Sequence, residues 1–271
     1  ITDALVWGAK KNGEAVDAAV TNGGGIRATI KAGDITKKDV NTVLPFGNTL
    51  SIVKVTGAEL LEALEASTYC TPDALGGFPQ VSGIAFTVDT TKTYDAGSLY
   101  PDSTYHAPKS INRVTIQSVG GKTFDSKAVY TIATNDFMAA GGDTYYAFKT
   151  ASANYDIGVP MDEVLMDYIT TELKGVVGEA YAKPQGRITV VKAAAPAEEP
   201  AKPVTPPAVK PAEPAGDGGE TSYTVVSGDC LWNISYHFYG AGAKFTRIAS
   251  ANGLKPPYLI NIGQVLVIPA A

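Results

Sequence analysis

The stretch AAAPAEEPAKPVTPPAVKPAEPAGDGGE, residues 193 to 220, constrains this chain more than any other feature. It is built from Ala, Pro, Glu and Lys and holds no aromatic residue. Such a segment buries too little apolar surface to offset the entropy of ordering it, so it reads as an extended, semi-rigid linker. At about 3 Å per residue in a polyproline conformation it reaches on the order of 80 Å. It leaves a large part, residues 1–192, and a small part, 221–271, each needing a core of its own.

Composition narrows the function of these parts. The 271 residues are 45% hydrophobic, enough for a sizeable core. The net charge is -5, from 22 Lys and Arg against 27 Asp and Glu. A nucleic-acid polymer needs a cationic surplus that is missing here, whereas a small anionic ligand needs only one or two local cations. No apolar run approaches the roughly 20 residues that span a bilayer, and no signal peptide is visible. The two cysteines, Cys70 and Cys230, flank the linker. They fit neither a disulfide framework nor a zinc ribbon and read as separate thiols. The two histidines, His106 and His237, sit in no metal-ligand spacing. No G-x-S-x-G elbow accompanies them. No metal site and no catalytic residue is therefore expected in this chain. The opening ITDALVWGAK starts in mid-pattern as an amphipathic helix without a start signal, so the chain is expected to be a piece of a longer one.

Periodicity gives the large part an α+β character, because strands and helices do not alternate strictly. A short buried strand is predicted at 16–20, and others at 50–55, 83–89, 113–119, 129–134 and 186–191. Helices are predicted at 56–67, where Thr56 and Glu59 form a capping box, and at 161–173, where Asp162 and Glu163 favour the positive helix end. The small part reads as strand (SYTVV), helix (CLWNISYHFYG), helix (KFTRIASANG) and strand (GQVLVIP), a βααβ unit. Trp232, Phe238 and Phe245 are expected in its core.

Three segments carry candidate chemistry. TNGGGIRATI, residues 21–30, follows a strand with Asn22, three glycines and Arg27. GGGIRA formally satisfies the dinucleotide fingerprint G-x-G-x-x-A, but KAGDI interrupts the helix that should follow. What remains is either a tight turn or a loop lined by backbone groups, Gly24 and Gly25 allowing close approach and Arg27 offering a fork to a phosphate or hydroxyl pair. TVLPFGNTL places Phe46 between Pro45 and Gly47, as a rigid platform or as a core plug. TNDFMAAGGDTYYAF places Asn135, Phe137 and Asp143 just beyond a strand. A carboxylate there suits a ribose diol, although Gly-Gly-Asp is also a common turn.

Taken together, TNGGGIRATIKAGDIT, VLPFGNTL, TGAELLEALE, ATNDFMAAGGD and PQGRI resemble the C-terminal domain of 5'-nucleotidases and UDP-sugar hydrolases. The resemblance covers nearly all of residues 1–192 and implies a layered mixed-sheet domain that holds the nucleoside. It implies that Phe46 and Phe137 sandwich the base and that Asp143 binds the ribose hydroxyls. Asn22, Gly24, Gly25, Arg27 and Asn135 would line the rest of the substrate site. Asp136 stands where some members carry Asn. The family hydrolyses phosphate esters with two divalent metal ions held by an N-terminal metallophosphoesterase domain, so the fragment alone is expected to hydrolyse nothing. YTVVSGDCLWNISYHFYG, IASANGL and IGQVLVIP resemble a LysM module, which implies binding to N-acetylglucosamine glycans of peptidoglycan or chitin. Its groove would be formed by Gly228, Asp229, Cys230 and Leu231 on one side and Pro257, Tyr258, Leu259 and Ile260 on the other. Cys230 replaces the usual Thr.

These resemblances imply part of a secreted, extracellular 5'-nucleotidase of nucleotide catabolism, bound to the bacterial cell wall through LysM. The alternative is a wall-binding adhesin or scaffold with a degenerate nucleotidase domain. Retention of Asn22, Arg27, Phe46, Phe137 and Asp143 together speaks against it.

Overall fold

The computed structural model describes residues 1–192, 221–225, 231–239, 244–255, 258, 260 and 264–270. The linker expected at 193–220, and Gly228, Asp229, Cys230, Pro257 and Leu259 of the expected glycan groove, lie outside the described residues. The chain divides into two compact units, Ile1–Lys192 and Ala193–Ala271.

The larger unit runs α1 (Thr2–Lys11), β1 (Ala18–Asn22), a 3-10 turn (Gly23–Gly25), α2 (Lys37–Val43), β2 (Thr49–Thr56) and α3 (Gly57–Ser67). Strands β3 (Pro79–Ser82) to β8 follow: β4 (Ile84–Asp89), β5 (Asp95–Leu99), β6 (His106–Ser110), β7 (Val114–Val119) and β8 (Lys122–Thr123). The unit closes with β9 (Val129–Asn135), α4 (Asp136–Ala139), α5 (Tyr146–Lys149), β10 (Ala153–Pro160), α6 (Met161–Asp167) and β11 (Ile188–Val191). The fold is α+β, with two mixed sheets. One is five-stranded in the order β10-β2-β9-β1-β3, and the other four-stranded in the order β11-β4-β7-β8. In the first, β1 and β9 run parallel while every other pair is antiparallel.

Alternation along the central strands builds three layers. On β2, Leu50 and Ile52 face a cluster with Leu5 and Ala9 of α1, Val40 of α2 and Val164 of α6. Val53 and Val55 face the opposite way, into a cluster with Leu60 and Leu64 of α3 and with Phe86, Val88 and Ile116 of the second sheet. Ile132 and Ala133 of β9 divide between the same two clusters. The central strands β2, β9 and β1 are thus buried on both faces, which explains their near-continuous apolar reading.

Helix α3 starts as its sequence dictates. Glu59 N–H donates to Thr56 Oγ1 and Thr56 N–H donates to Glu59 Oε2, closing the capping box. The helix expected over 161–173 is α6, followed by a π turn at Tyr168–Glu172.

In the smaller unit, β12 (Thr221–Thr224) pairs antiparallel with β13 (Val265–Ile268), with α7 (Leu231–Tyr239) and α8 (Phe245–Ala251) between them in sequence. Val225, Leu231, Ile234, Ile248, Leu266 and Ile268 form its core. Phe238, Phe245, Tyr258 and Ile260 pack against that core, partly buried. The side chain of Trp232 lies outside the described residues.

Candidate functional site

Strand direction gathers the candidate residues at one end of the five-stranded sheet. Leu50, near the start of β2, is registered against Asn135 at the end of β9. Asn22, at the end of β1, is registered against Pro79 at the start of β3. Because β1 runs parallel to β9, their last residues emerge together. The loop carrying Phe46 enters β2 at this end, and α4 with Phe137 leaves β9 there.

The polar residues form one connected chain. Asn135 caps α4 by accepting from Met138 N–H at 2.8 Å. Its amide nitrogen donates to Asn22 Oδ1 and to Thr21 Oγ1, both at 3.1 Å. Asn22 Nδ2 in turn donates to Asp143 Oδ2 at 3.1 Å. Asn22 and Asn135 are buried. Their amides are oriented by these bonds and hold the half-buried carboxylate. Asp143 itself has φ +53°, a left-handed conformation that Asp tolerates better than most side chains. Burial pushes its carboxyl above the ordinary range, and the Asn22 hydrogen bond offsets part of that rise.

The glycines are there for space. A Cβ on Gly24 would lie 2.9 Å from backbone atoms of Gly76, and Gly24 N–H donates to Gly76 O at 2.7 Å. A Cβ on Gly25 would lie 3.2 Å from Asn22 Oδ1. A Cβ on Gly142 would fall 2.5 Å from the Phe137 ring, so the aromatic occupies the volume that Gly-Gly-Asp leaves free.

The aromatics are exposed, unlike core residues: Phe46 by 60% and Phe137 by 43%. The core-plug reading of Phe46 is thereby excluded. The Arg27 guanidinium sits 5.9 Å from the centre of the Phe46 ring and its Nη1 donates to Gly24 O at 3.2 Å. Between Phe46 and the strand ends lies an open surface depression lined by Thr21, Gly25, Leu44, Phe46, Asn48, Asn135 and Met161. Its lining mixes the apolar Leu44, Phe46 and Met161 with the amides of Asn48 and Asn135.

Of the expected site residues Gly25, Phe46 and Asn135 line this depression, whereas Asn22, Gly24, Arg27, Phe137 and Asp143 do not, and neither does Asp136. Its Oδ1 accepts from Thr49 N–H at 3.2 Å and ties α4 to the start of β2. Sequence reasoning passed over Asn48 and Met161, which the register of β2 and the turn into α6 bring to the depression. It also passed over the Gly76–Gly77 turn. Asn48 adjoins Phe46 in VLPFGNTL, and a polar residue in that loop was the available signal. Of the expected glycan residues, Leu231 is in the core of the smaller unit, while Tyr258 and Ile260 are half-buried against it.

Residues 1–150 match the model of the 5'-nucleotidase C-terminal domain. The chain belongs to the 5'-nucleotidase family. Residues 223–269 match the LysM domain. Among similar proteins is the trifunctional nucleotide phosphoesterase protein YfkN of Bacillus subtilis, 38% identical over 175 residues, spanning 64% of this chain and 11% of the relative. A cell wall protein of Listeria monocytogenes is 37% identical over 175 residues, spanning 62% of this chain and 20% of its own length. The crystal structure of a 5'-nucleotidase precursor from Thermus thermophilus superposes with a TM-score of 0.57 at 35% identity, covering 70% of this chain and 34% of that one. The chain therefore spans about a tenth to a third of the length of these family members. Among the described residues no three His, Cys, Asp or Glu side chains cluster as a metal-ion site. No helix among the described residues is long and apolar enough to cross a membrane.

Proposed function

We propose that residues 1–192 form the nucleoside-binding half of a secreted 5'-nucleotidase whose two-metal catalytic domain lies in the remainder of a longer protein. The observation that carries this reading is the hydrogen-bonded series Asn135–Asn22–Asp143 beside two exposed aromatics and one guanidinium. A base stacks on Phe46 and Phe137, the ribose diol bonds the Asp143 carboxylate, and Arg27 meets the phosphate. Fixing base and sugar in this way orients the phosphoester for in-line attack elsewhere, so the domain contributes binding and positioning. The reaction class is phosphoester hydrolysis in nucleotide catabolism. Residues 193–220 act as a spacer, and the LysM module at 221–271 holds the enzyme on peptidoglycan outside the cell. The cell wall protein among the relatives supports that location.

Calorimetric titration of the full chain with adenosine, AMP and UDP-glucose, without metal, tests the reading. Saturable binding that disappears in the double variant F46A/F137A supports it. Absence of binding to all three, or metal-dependent phosphate release by this chain alone, counts against it. Sedimentation with insoluble peptidoglycan tests the wall attachment.

A further inference from the structure

We propose that Gly77, outside every motif above, is a positioning residue for the Asp143 carboxylate and so sets the preference for an intact ribose diol. The inference rests on the nucleoside reading of the site.

The loop after α3 returns to the sheet through Gly76 and Gly77, which pass between the glycine turn and Asp143. Gly76 O accepts from Gly24 N–H at 2.7 Å, and Phe78 O accepts from Gly23 N–H at 2.8 Å. Gly77 O accepts from the hydroxyl of Tyr145, a fully buried side chain two residues beyond Asp143, at 2.8 Å. The turn is thus bonded both to the segment that carries Asn22 and to the segment that carries Asp143.

The two glycines differ in what a side chain would meet. A Cβ on Gly77 would lie 3.1 Å from Asp143 Cβ and 3.5 Å from both Asp143 Cγ and Thr144 Oγ1. A Cβ on Gly76 would have only Gly24 Cα near it, at 4.0 Å. Neither glycine has the positive φ that would penalise alanine. The effect of alanine at 77 is therefore contact with Asp143, and at 76 it is ordinary van der Waals packing. Asp143 is already in the left-handed region and held by one bond from Asn22. A methyl group 3.1 Å from its Cβ displaces Asp143, and with it the carboxylate that Asn22 holds in place for the diol.

Calorimetry of the full chain with adenosine and 2',3'-dideoxyadenosine reads this directly. Wild type should prefer adenosine by about tenfold or more, the worth of a charged hydrogen-bonding group. Gly77→Ala should bring that ratio close to one by weakening adenosine, leaving dideoxyadenosine unchanged because the aromatic platform is untouched. Gly76→Ala should keep the wild-type ratio. Tyr145→Phe, which deletes the bond to Gly77 O, should lower the ratio partway and serves where Gly77→Ala does not fold. An unchanged ratio in folded Gly77→Ala, or in Tyr145→Phe if Gly77→Ala is unfolded, overturns the inference. Equal losses in both glycine variants overturn it too, because they mark general damage to the loop. A wild type with no adenosine binding or no preference overturns the nucleoside reading itself, and this inference with it.

Discussion

Asn22 Nδ2 donates to Asp143 Oδ2 at 3.1 Å, joining side chains 121 positions apart. The bond crosses from the end of β1 to the segment after α4, so the site exists only in the folded sheet. The carboxylate is half-buried, and burial raises its pKa against the opposing effect of this bond. A carboxyl whose folded-state pKa lies above its unfolded value favours the protonated form on folding. Its ionised form therefore lowers stability at neutral pH, and that loss disappears below the unfolded pKa of about 3.9. Asp143→Asn keeps an oxygen for Asn22 and removes the charge. The variant should melt at a higher temperature than wild type at pH 7 and lose that advantage as the pH falls through the raised folded-state pKa, with none left below about 3.9, read by thermal scans across pH.

Phe46 and Phe137 are 60% and 43% exposed, so truncating them removes little buried surface. Each ring offered to a base is worth roughly 1–3 kcal/mol by alanine substitution in other stacked complexes. The single alanine variants should each weaken adenosine binding about tenfold, with melting temperatures close to wild type. A large drop in melting temperature would instead show that the rings chiefly support the fold.

On the proposed reading Arg27 meets the phosphate rather than the base or the sugar. Its guanidinium rests above the Phe46 ring with one bond to Gly24 O, leaving further N–H groups for an anion. Arg27→Ala should weaken AMP about tenfold while adenosine keeps its affinity. Equal losses for AMP and adenosine would assign Arg27 to the base or sugar instead.

How much of this was legible in the sequence depended on where the information sat. The capping box of Thr56 and Glu59 is local chemistry, and both of its hydrogen bonds are formed. Strands β2 and β9 carry apolar side chains on both faces and stand out by composition. Strand β10 does not, because most of ANYDIGVP is exposed or half-buried and its place is set by pairing with β2. The short β3 is hidden by the Gly-Gly-Phe run before it and by the Pro79 that opens it, and its register against β1 defines it. Asn22, Arg27, Phe46, Asn135, Phe137 and Asp143 stood out because Gly, Pro and aromatic residues punctuate strand ends. Gly77 did not, since its significance is an approach to Asp143 from 66 residues away, which no local pattern encodes.

Glu65 shows the same limit in the core. It sits in EALEAS as if on a solvated helix face, yet it is fully buried. Its carboxylate accepts from three successive backbone N–H groups, those of Asn112, Arg113 and Val114, at 2.7 to 3.2 Å. The buried Arg113 guanidinium donates back to the carbonyls of Thr68, Tyr69 and Thr71. Glu65→Gln turns one of the accepting oxygens into a donor facing donors. It should destabilise the larger unit by about 3 kcal/mol, measured as a shift of the urea midpoint at constant slope.

Asp3 links the two ends of the larger unit. Its carboxylate accepts from Arg187 Nη2 at 2.8 Å, from Tyr181 OH at 3.0 Å and from Ser82 Oγ. Arg187 Nη1 also donates to Val81 O at 2.9 Å, so α1, β3 and the segment entering β11 meet at this one group. Burial alone would raise the Asp3 pKa, but the bonds from Arg187, Ser82 and Tyr181 and the Arg187 charge together hold it below the ordinary range. A depressed folded-state pKa contributes stability above the unfolded value of about 3.9, and that stability is lost as the pH falls through the folded pKa. Asp3→Asn should therefore lower the melting temperature at pH 7 and differ less and less from wild type as the solution is acidified. Arg187→Gln should also lower it, and the double variant should lose less than the sum of the two single losses because both remove the Arg187–Asp3 pair. Additive losses in the double variant would show that the two residues act separately.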